Sequence, residues 1–190
     1  MITNANSIPN GSCLQADVCI IGAGPAGIAL ALDLSERGFS VLMLESAFMK
    51  EDSDTQQLYE GEVANEKLHS PPDKYRQRRL GGSSAIWGGR CMPFDPLAFE
   101  IRYHVQNSGW PISYDDLLPY YPRANELSEA GRFSYRAEEA LGSNALPLIR
   151  GFDSKRILTD GLERFSCPTH FGNRYEKQLR LAPDLKVLLG

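Results

Sequence analysis

The segment from residue 16 to residue 27 constrains this chain most, because an apolar run there meets three closely spaced glycines. The run at 16–21 is typical of a buried parallel strand, and the glycines follow where such a strand turns into a helix. Gly22 allows the tight turn, and Gly24 removes a Cβ that would block a pyrophosphate. Gly27 lets the helix lie close to the strand. The pattern predicts an anion site at a helix N-terminus.

The residues that follow complete a strand-helix-strand unit. Pro25 and Ala26 lie in the first turn of the predicted helix, and Gly38 is placed where it should stop. The second apolar strand, residues 41–44, leads directly to Glu45. A carboxylate at this position accepts hydrogen bonds from the ribose hydroxyls of an adenosine and repels a 2′-phosphate. The unit therefore predicts an adenine-dinucleotide site that disfavours NADP, and it leaves FAD and NAD open.

The residues after Glu45 help to distinguish FAD from NAD as the cofactor. After Glu45 the alternation of strands and helices stops, and a polar segment runs through residues 46–79. An NAD-dependent dehydrogenase would continue with further repeats, so this segment argues against one. Paired glycines followed by two hydroxyl residues then offer backbone N–H groups to a flat or anionic ligand, or else enter a helix for packing reasons alone. This candidate second contact comprises Arg79, Gly81, Gly82, Ser83, Ser84, Trp87, Gly88 and Gly89.

Basic residues cluster just before this motif. Lys74, Arg76, Arg78 and Arg79 either add positive potential near a pyrophosphate or form a solvated face, and the sequence alone does not assign them.

Composition excludes several classes of partner. The 190 residues carry a formal net charge of −4, which gives no general attraction for nucleic acid or an anionic membrane. The apolar runs are too short to span a bilayer, and no secretory signal is visible, so we expect a cytoplasmic protein. The four cysteines lack the close spacing of a metal site, and no metal is expected.

The C-terminal residues 185–190 look like the start of a further buried strand with nothing after it to pair with. We therefore expect residues 1–190 to be a partial FAD-binding domain, with a dinucleotide core at 16–45 and a flavin-side loop and helix at 79–92. On this expectation the substrate domain is absent.

Taken together, the motifs resemble the glucose-methanol-choline (GMC) oxidoreductases. The resemblance rests on the first glycine motif with Glu45, on Arg79-Leu80-Gly81-Gly82-Ser83-Ser84, and on Trp87-Gly88-Gly89-Arg90 with Gly109-Trp110-Pro111-Ile112-Ser113-Tyr114. It implies an α/β, Rossmann-like FAD-binding domain of the GMC and glutathione-reductase type, and oxidation of an alcohol or sugar by hydride transfer to flavin. By family position, Gly81 to Ser84 would lie along the pyrophosphate and flavin, and Trp87 to Gly89 would approach the isoalloxazine.

Two departures from the family pattern matter. Relatives that bind FAD covalently carry a His where this chain has Ile86, so the resemblance implies non-covalent FAD. The family also places its active-site His beyond the length of this chain. His69, His104 and His170 match no family motif and are interpreted as surface or structural residues, so no catalytic residue is assigned.

Two alternatives remain open. One is another FAD-dependent enzyme, of the monooxygenase or amine oxidase type, which would share the first motif but not the second at this spacing. The other is a non-catalytic fragment that binds nucleotide or a partner chain. Neither the alcohol or sugar nor the electron acceptor can be read from these residues.

Overall fold

The computed structural model describes residues 1–146, 148–154 and 157–190. These residues form two compact units, the first made of 1–87 with 169–190 and the second of 88–168. In chain order the strands and helices are β1 (Ile2–Asn4), β2 (Val18–Ile21), α1 (Pro25–Glu36), β3 (Val41–Glu45), α2 (Ser53–Gln57), α3 (Pro72–Tyr75), β4 (Arg90–Cys91), α4 (Tyr114–Leu117), α5 (Tyr121–Leu127), α6 (Ala137–Leu141), β5 (Arg164–Phe165), α7 (Phe171–Leu181) and β6 (Leu185–Leu189). Short 3₁₀ turns lie at Ala5–Ser7, Gly82–Ala85, Pro96–Phe99, Leu118–Tyr120 and Gly142–Asn144.

The first unit is built on a parallel sheet of strand order β1-β6-β3-β2. Its β2, β3 and β6 have the order of the first half of a doubly wound dinucleotide-binding fold. Ile20, Met43 and Val187 are neighbours in register and are buried. The predicted α/β, Rossmann-like fold class is confirmed.

Two helices of the first unit supply most of its remaining core. The α1 helix buries Ile28, Ala31 and Leu32, whose spacing places them on one face of a helix. The α7 helix buries Phe171, Gly172, Tyr175 and Leu179, and the two helices contact each other. The N-terminus of each helix is thereby fixed close to a glycine turn.

The C-terminal strand corrects one expectation. Residues 185–189 form a strand as predicted, but the unpaired edge that was expected because no partner follows the strand is not found. The β6 strand pairs with β3 on one side and β1 on the other. Both partners precede it in the chain, and the three-residue β1 is too short to give a recognisable strand pattern.

The second unit contains a small antiparallel pair, β4 with β5, in which Arg90 lies opposite Phe165. Arg90 also forms an ion pair with Glu163. The α4 helix of the second unit begins with a reciprocal capping box between Ser113 and Asp116. Aromatic rings pack against one another through this unit, at Phe94, Phe99, Trp110, Tyr114, Tyr121, Phe133 and Tyr135.

Candidate functional site

The first glycine turn joins β2 to α1 in the way that the sequence predicts. Gly22 has a φ of 101°, a conformation that favours glycine, and its N–H donates to the Leu44 carbonyl at 2.7 Å. A Cβ on Gly27 would collide with the Gly22 carbonyl oxygen, so α1 can approach the turn only with glycine there. A Cβ on Gly24 would meet no atom within 4 Å. Gly24 therefore borders open space, which is the property that a pyrophosphate contact requires.

The N-terminus of α1 lies at this open space. Gly24 is the N-cap, Pro25 is the first helical residue and Ala26 follows in the first turn. Because glycine has no side chain, Gly24 offers no capping group to the first-turn N–H groups. Such groups, together with the positive end of the helix dipole, attract an anion.

Glu45 ends β3 beside the glycine turn. Its Oε2 accepts a hydrogen bond from the Ala23 N–H at 2.9 Å, and its Oε1 accepts one from the Ala47 N–H at 3.2 Å. These two bonds hold the carboxylate in place at the carboxyl end of the strand. A carboxylate offers about four acceptor positions, so capacity remains for ribose hydroxyls.

A cavity of about 500 Å³ opens at the carboxyl ends of β2, β3 and β6. Ligands of parallel α/β sheets bind at this edge. The lining residues are Ala5, Ile21, Gly22, Leu44, Glu45, Ser46, Tyr59, Arg78, Leu188 and Gly190. The cavity therefore combines an apolar surface with a carboxylate and a guanidinium.

The second glycine motif packs directly on the first. The Gly81 N–H donates to the Ala23 carbonyl at 2.8 Å, and a Cβ on Gly82 would lie 3.1 Å from Gly24 Cα. Gly81 has a φ of 91°, which suits glycine. Folding thus brings Gly81 and Gly82 of the second motif against the first motif within the first unit.

The two hydroxyl residues of the second motif bond to the protein itself. Ser84 is buried, and its Oγ donates to the Gly81 carbonyl at 2.6 Å and accepts from the Phe171 N–H at 3.0 Å. Ser83 Oγ accepts from the Gln77 N–H at 3.1 Å. Ser84 thereby connects the motif to the N-terminus of α7, a role that the sequence does not reveal.

His170 caps α7, and its Nδ1 accepts from the Asn173 N–H at 3.2 Å. This bond requires an unprotonated Nδ1, so the neutral imidazole carries its proton on Nε2. Burial, and secondarily the positive charge of Arg79, lower the pKa of His170 below its ordinary value. The structure thus gives His170 a capping role, and its interpretation as a surface or structural residue stays a prediction.

The remaining residues of the second motif divide between the two units. In the first, Arg79 donates from Nη2 to the Met49 carbonyl at 3.2 Å, and Trp87 donates from Nε1 to the Thr169 carbonyl at 3.0 Å. In the second, Gly89 has a φ of 78°, and a Cβ there would lie 2.7 Å from the Ser166 carbonyl oxygen. A Cβ on Gly88 would meet no atom within 4 Å. The predicted roles of these four residues towards flavin stay predictions.

Two residues near the site, Gln56 and Tyr59, were not predicted from the sequence, and Arg78 was named there only as an unassigned member of the basic cluster. Gln56 donates from Nε2 to the carbonyls of Asp73 and Arg76, each at 2.7 Å, and accepts the Arg78 N–H at 3.0 Å. It therefore fixes the arginine-rich segment against α2. Tyr59 and Arg78 then stack beside the cavity, with the guanidinium carbon 4.5 Å from the ring centre. Apart from the basic cluster, no sequence motif marks these positions.

Neither a metal group nor a membrane helix is found in residues 1–146, 148–154 and 157–190. Their His, Cys, Asp and Glu side chains form no cluster of three or more that could hold a metal ion. In that same part of the chain, each helix is too short or too polar to cross a bilayer.

Comparison with known proteins gives the family context. Residues 17–87 match the family model described as FAD dependent oxidoreductase. The chain is 27% identical over 127 residues to 2-methyl-1,2-propanediol dehydrogenase of Mycolicibacterium austroafricanum, covering 56% of this chain and 23% of that protein. It is 31% identical over 164 residues to oxygen-dependent choline dehydrogenase of Rhizobium etli (strain CIAT 652), and the match covers 73% of this chain and 29% of that protein. It is also 27% identical over 144 residues to flavin-containing monooxygenase FMO GS-OX-like 3 of Arabidopsis thaliana, and the match covers 66% of this chain and 30% of that protein.

These matches confirm the resemblance to GMC oxidoreductases, because the distant homologues include dehydrogenases of that family. The match to the FAD-dependent oxidoreductase model includes the first glycine turn and the second glycine motif as far as Trp87. The chain spans less than a third of the length of these three relatives.

The geometry fits the ADP half of FAD. Open space borders Gly24, and the cavity beside Glu45 has both apolar and polar walls. A pyrophosphate placed there would meet the N–H groups of the α1 N-terminus, and a ribose would meet the oxygen atoms of Glu45.

Proposed function

We propose that this chain is the FAD-binding portion of a GMC-type oxidoreductase that oxidises a CH–OH group of a small alcohol or sugar. The observation that carries the proposal is the Gly81 N–H to Ala23 carbonyl bond, because it joins the two glycine motifs at the open space beside Gly24. A dinucleotide turn alone is shared by many enzymes, whereas the second motif packed against it belongs to the pattern by which this chain resembles the GMC oxidoreductases.

Each site residue has a defined task in this proposal. The first turn of α1 binds the pyrophosphate through backbone N–H groups, and Gly24 permits the close approach. Glu45 accepts the ribose hydroxyls while its bond to the Ala23 N–H holds the turn. Gly82 keeps the second motif close to the same turn.

The flavin-side residues follow from family position. We assign Gly81 to Ser84 to the pyrophosphate and flavin, with Arg79 beside them, and Trp87 to Gly89 to the isoalloxazine. Bound FAD would supply the acceptor for the hydride of the alcohol carbon. Ile86 has no nucleophilic nitrogen, so the cofactor is held without a covalent bond.

No residue of this chain is assigned as the base that removes the hydroxyl proton. His170 is committed to capping α7, and the sequence gives no family match for His69 or His104. The expected cytoplasmic location stays a prediction, and neither the individual substrate nor the electron acceptor is assigned. The relatives' names suggest a first panel of substrates, namely 2-methyl-1,2-propanediol and choline, to which simple sugars are added.

The test is anaerobic reduction of the bound flavin in the full-length protein. Each alcohol or sugar of the panel is added, and loss of the oxidised flavin absorbance is followed. We expect at least one to bleach the flavin, while its deoxy analogue does not, because only a CH–OH group can give up both hydride and proton. A flavin that every member of a broad panel leaves oxidised would contradict the proposed reaction.

A flavin monooxygenase is the second candidate, favoured by the 27% identity to the Arabidopsis monooxygenase. Such an enzyme reduces its flavin with a nicotinamide rather than an alcohol. Adding NADH or NADPH to the same anaerobic sample therefore distinguishes the two. Bleaching by a nicotinamide alone would favour the monooxygenase.

A further inference from the structure

The strongest unassigned feature of the first unit is the stacked pair Arg78 and Tyr59 at the wall of the 500 Å³ cavity. We propose that the outer face of the Arg78 guanidinium, supported from behind by Tyr59, is the platform on which the adenine ring of the dinucleotide stacks, and that Arg78 is thus a specificity-determining residue. The inference rests on the proposed function, which places an adenosine beside Glu45.

The position of the pair follows from its hydrogen bonds. Arg78 Nη1 donates to Ser46 Oγ at 2.6 Å, and Ser46 is the residue directly after Glu45. The Arg78 backbone N–H is held by Gln56 Oε1 at 3.0 Å. Arg78 is therefore fixed at both its backbone and its side chain, on the wall of the cavity that also contains the ribose-binding carboxylate. A ribose at Glu45 would carry its base into this cavity.

The shape of the guanidinium favours a planar ligand. With its carbon 4.5 Å from the Tyr59 ring centre, the guanidinium has one face against an aromatic ring, within the usual range of such contacts. Both Tyr59 and Arg78 line the cavity. A planar, delocalised cation stacks on aromatic faces, as an ammonium cannot. Adenine offers a flat ring of suitable size, and Ile21, Leu44 and Leu188 supply apolar surface in the same cavity.

The hydrogen-bonding state of Arg78 argues against a phosphate as its ligand. A phosphate is bound best by two parallel N–H groups of the guanidinium fork. Here Nη1 already donates to Ser46, and Nε is buried without a partner in the described residues. The nearby Glu45 carboxylate would also repel a 2′-phosphate. The part of Arg78 that lines the cavity is thus better suited to stacking than to binding a second phosphate.

The chain supplies a matched control for this residue. Arg76 stacks on Tyr75 at 5.3 Å, belongs to the same segment and is exposed, but it does not line the cavity. An Arg76→Ala variant removes the same charge and the same kind of stack at a neighbouring position. A general electrostatic role of the basic segment would make the two alanine variants behave alike.

The experiment measures binding of ADP, FAD, FMN and 2′,5′-ADP by calorimetry to the full-length protein after removal of its cofactor. We expect Arg78→Ala to weaken the binding of ADP and of FAD by the same factor. That factor should be roughly 5- to 150-fold, the range for loss of one base-stacking contact. FMN has no adenine and should bind to the variant as to wild type. Arg76→Ala should bind all four compounds like wild type, and Tyr59→Phe, which keeps the ring, should retain the affinity for ADP.

Conservative replacement separates stacking from charge. Arg78→Lys keeps the charge but loses the planar surface, so it should bind ADP nearly as weakly as Arg78→Ala. Circular dichroism and the unfolding midpoint of each variant show whether the fold is kept. If Arg78→Ala proves misfolded, the comparison of wild type with Arg78→Lys carries the test alone.

Three results would overturn the inference while leaving the proposed function intact. They are unchanged ADP binding in folded Arg78→Ala, full recovery in Arg78→Lys, and tighter binding of 2′,5′-ADP than of ADP by the wild type. A wild-type protein that binds neither ADP nor FAD would instead refute the proposed function, and this inference with it.

Discussion

Gly81 donates its backbone N–H to the carbonyl of Ala23 at 2.8 Å, and this bond joins two glycine motifs that are far apart in the sequence. Because both partners are backbone atoms, the contact depends on chain geometry rather than on side-chain chemistry. Gly81 can adopt its φ of 91° without strain, and Gly82 can lie against Gly24. Gly81 and Gly82 are thus needed for the two glycine loops to pack together, whether or not they also contact a cofactor.

The first prediction separates cofactor contact from packing within the first turn. Gly24→Ala places its Cβ in open space, so the free energy of unfolding of the cofactor-free protein should change by only about 0.5 kcal/mol. FAD binding should nevertheless weaken at least about ten-fold, because that space is where the pyrophosphate binds. Urea unfolding and FAD titration measure the two effects.

Gly27→Ala is the matched comparison. Its Cβ would collide with the Gly22 carbonyl oxygen, so we expect a loss of about 1–3 kcal/mol in the free energy of unfolding. Equal stabilities of the two variants would mean that α1 does not approach the turn as described.

The second prediction concerns the buried Ser84 hydroxyl. Ser84→Ala leaves the Gly81 carbonyl and the Phe171 N–H without their partner, and unsatisfied buried groups cost about 1–3 kcal/mol. The free energy of unfolding should fall by that amount. Ser83→Ala, which removes a half-buried hydroxyl that accepts the Gln77 N–H, should cost less. A smaller loss for Ser84 than for Ser83 would contradict the bridging role.

The third prediction is a pH dependence from His170. Its pKa is lowered in the folded chain from an ordinary value of 6.5, so between the two values the unfolded chain binds a proton that the folded chain does not. The stability that His170 contributes is therefore complete above about pH 6.5 and is lost as the pH falls through the folded-state pKa. His170→Asn keeps a capping side chain that does not titrate.

Urea unfolding measured from about pH 7.5 to about pH 5 tests this pH dependence of the free energy of unfolding. The wild type should lose more stability over that range than His170→Asn, and His104→Asn should follow the wild type. Parallel curves for the wild type and His170→Asn would show that the α7 cap does not titrate.

The sequence predicts the dinucleotide core well, because local signals determine it. Strand, glycine turn, helix and terminal acid each have a short-range signature, and all four are found as predicted at β2, α1 and β3. The pairing of β6 with β1 was missed, since three residues give no periodicity. The Gln56 contacts were missed for a different reason. They depend on three-dimensional proximity between α2 and a segment without regular spacing.

The fourth prediction tests the ribose contact. In Glu45→Gln the amide keeps one acceptor for the Ala23 N–H but turns an N–H₂ group towards the Ala47 N–H. FAD binding should weaken by about 1–3 kcal/mol, the range for loss of a charged acceptor. Affinity is measured by fluorescence titration of the cofactor-free protein. An unchanged affinity would mean that another residue holds the ribose.

The central claim is that the two joined glycine motifs hold one FAD without a covalent bond. The most direct measurement is to purify the full-length protein, precipitate it with acid, and identify the released flavin by mass. The account predicts a yellow supernatant containing FAD at about one per chain and a colourless pellet. A protein that carries no flavin after incubation with FAD, or a colour that stays with the washed pellet, would contradict it.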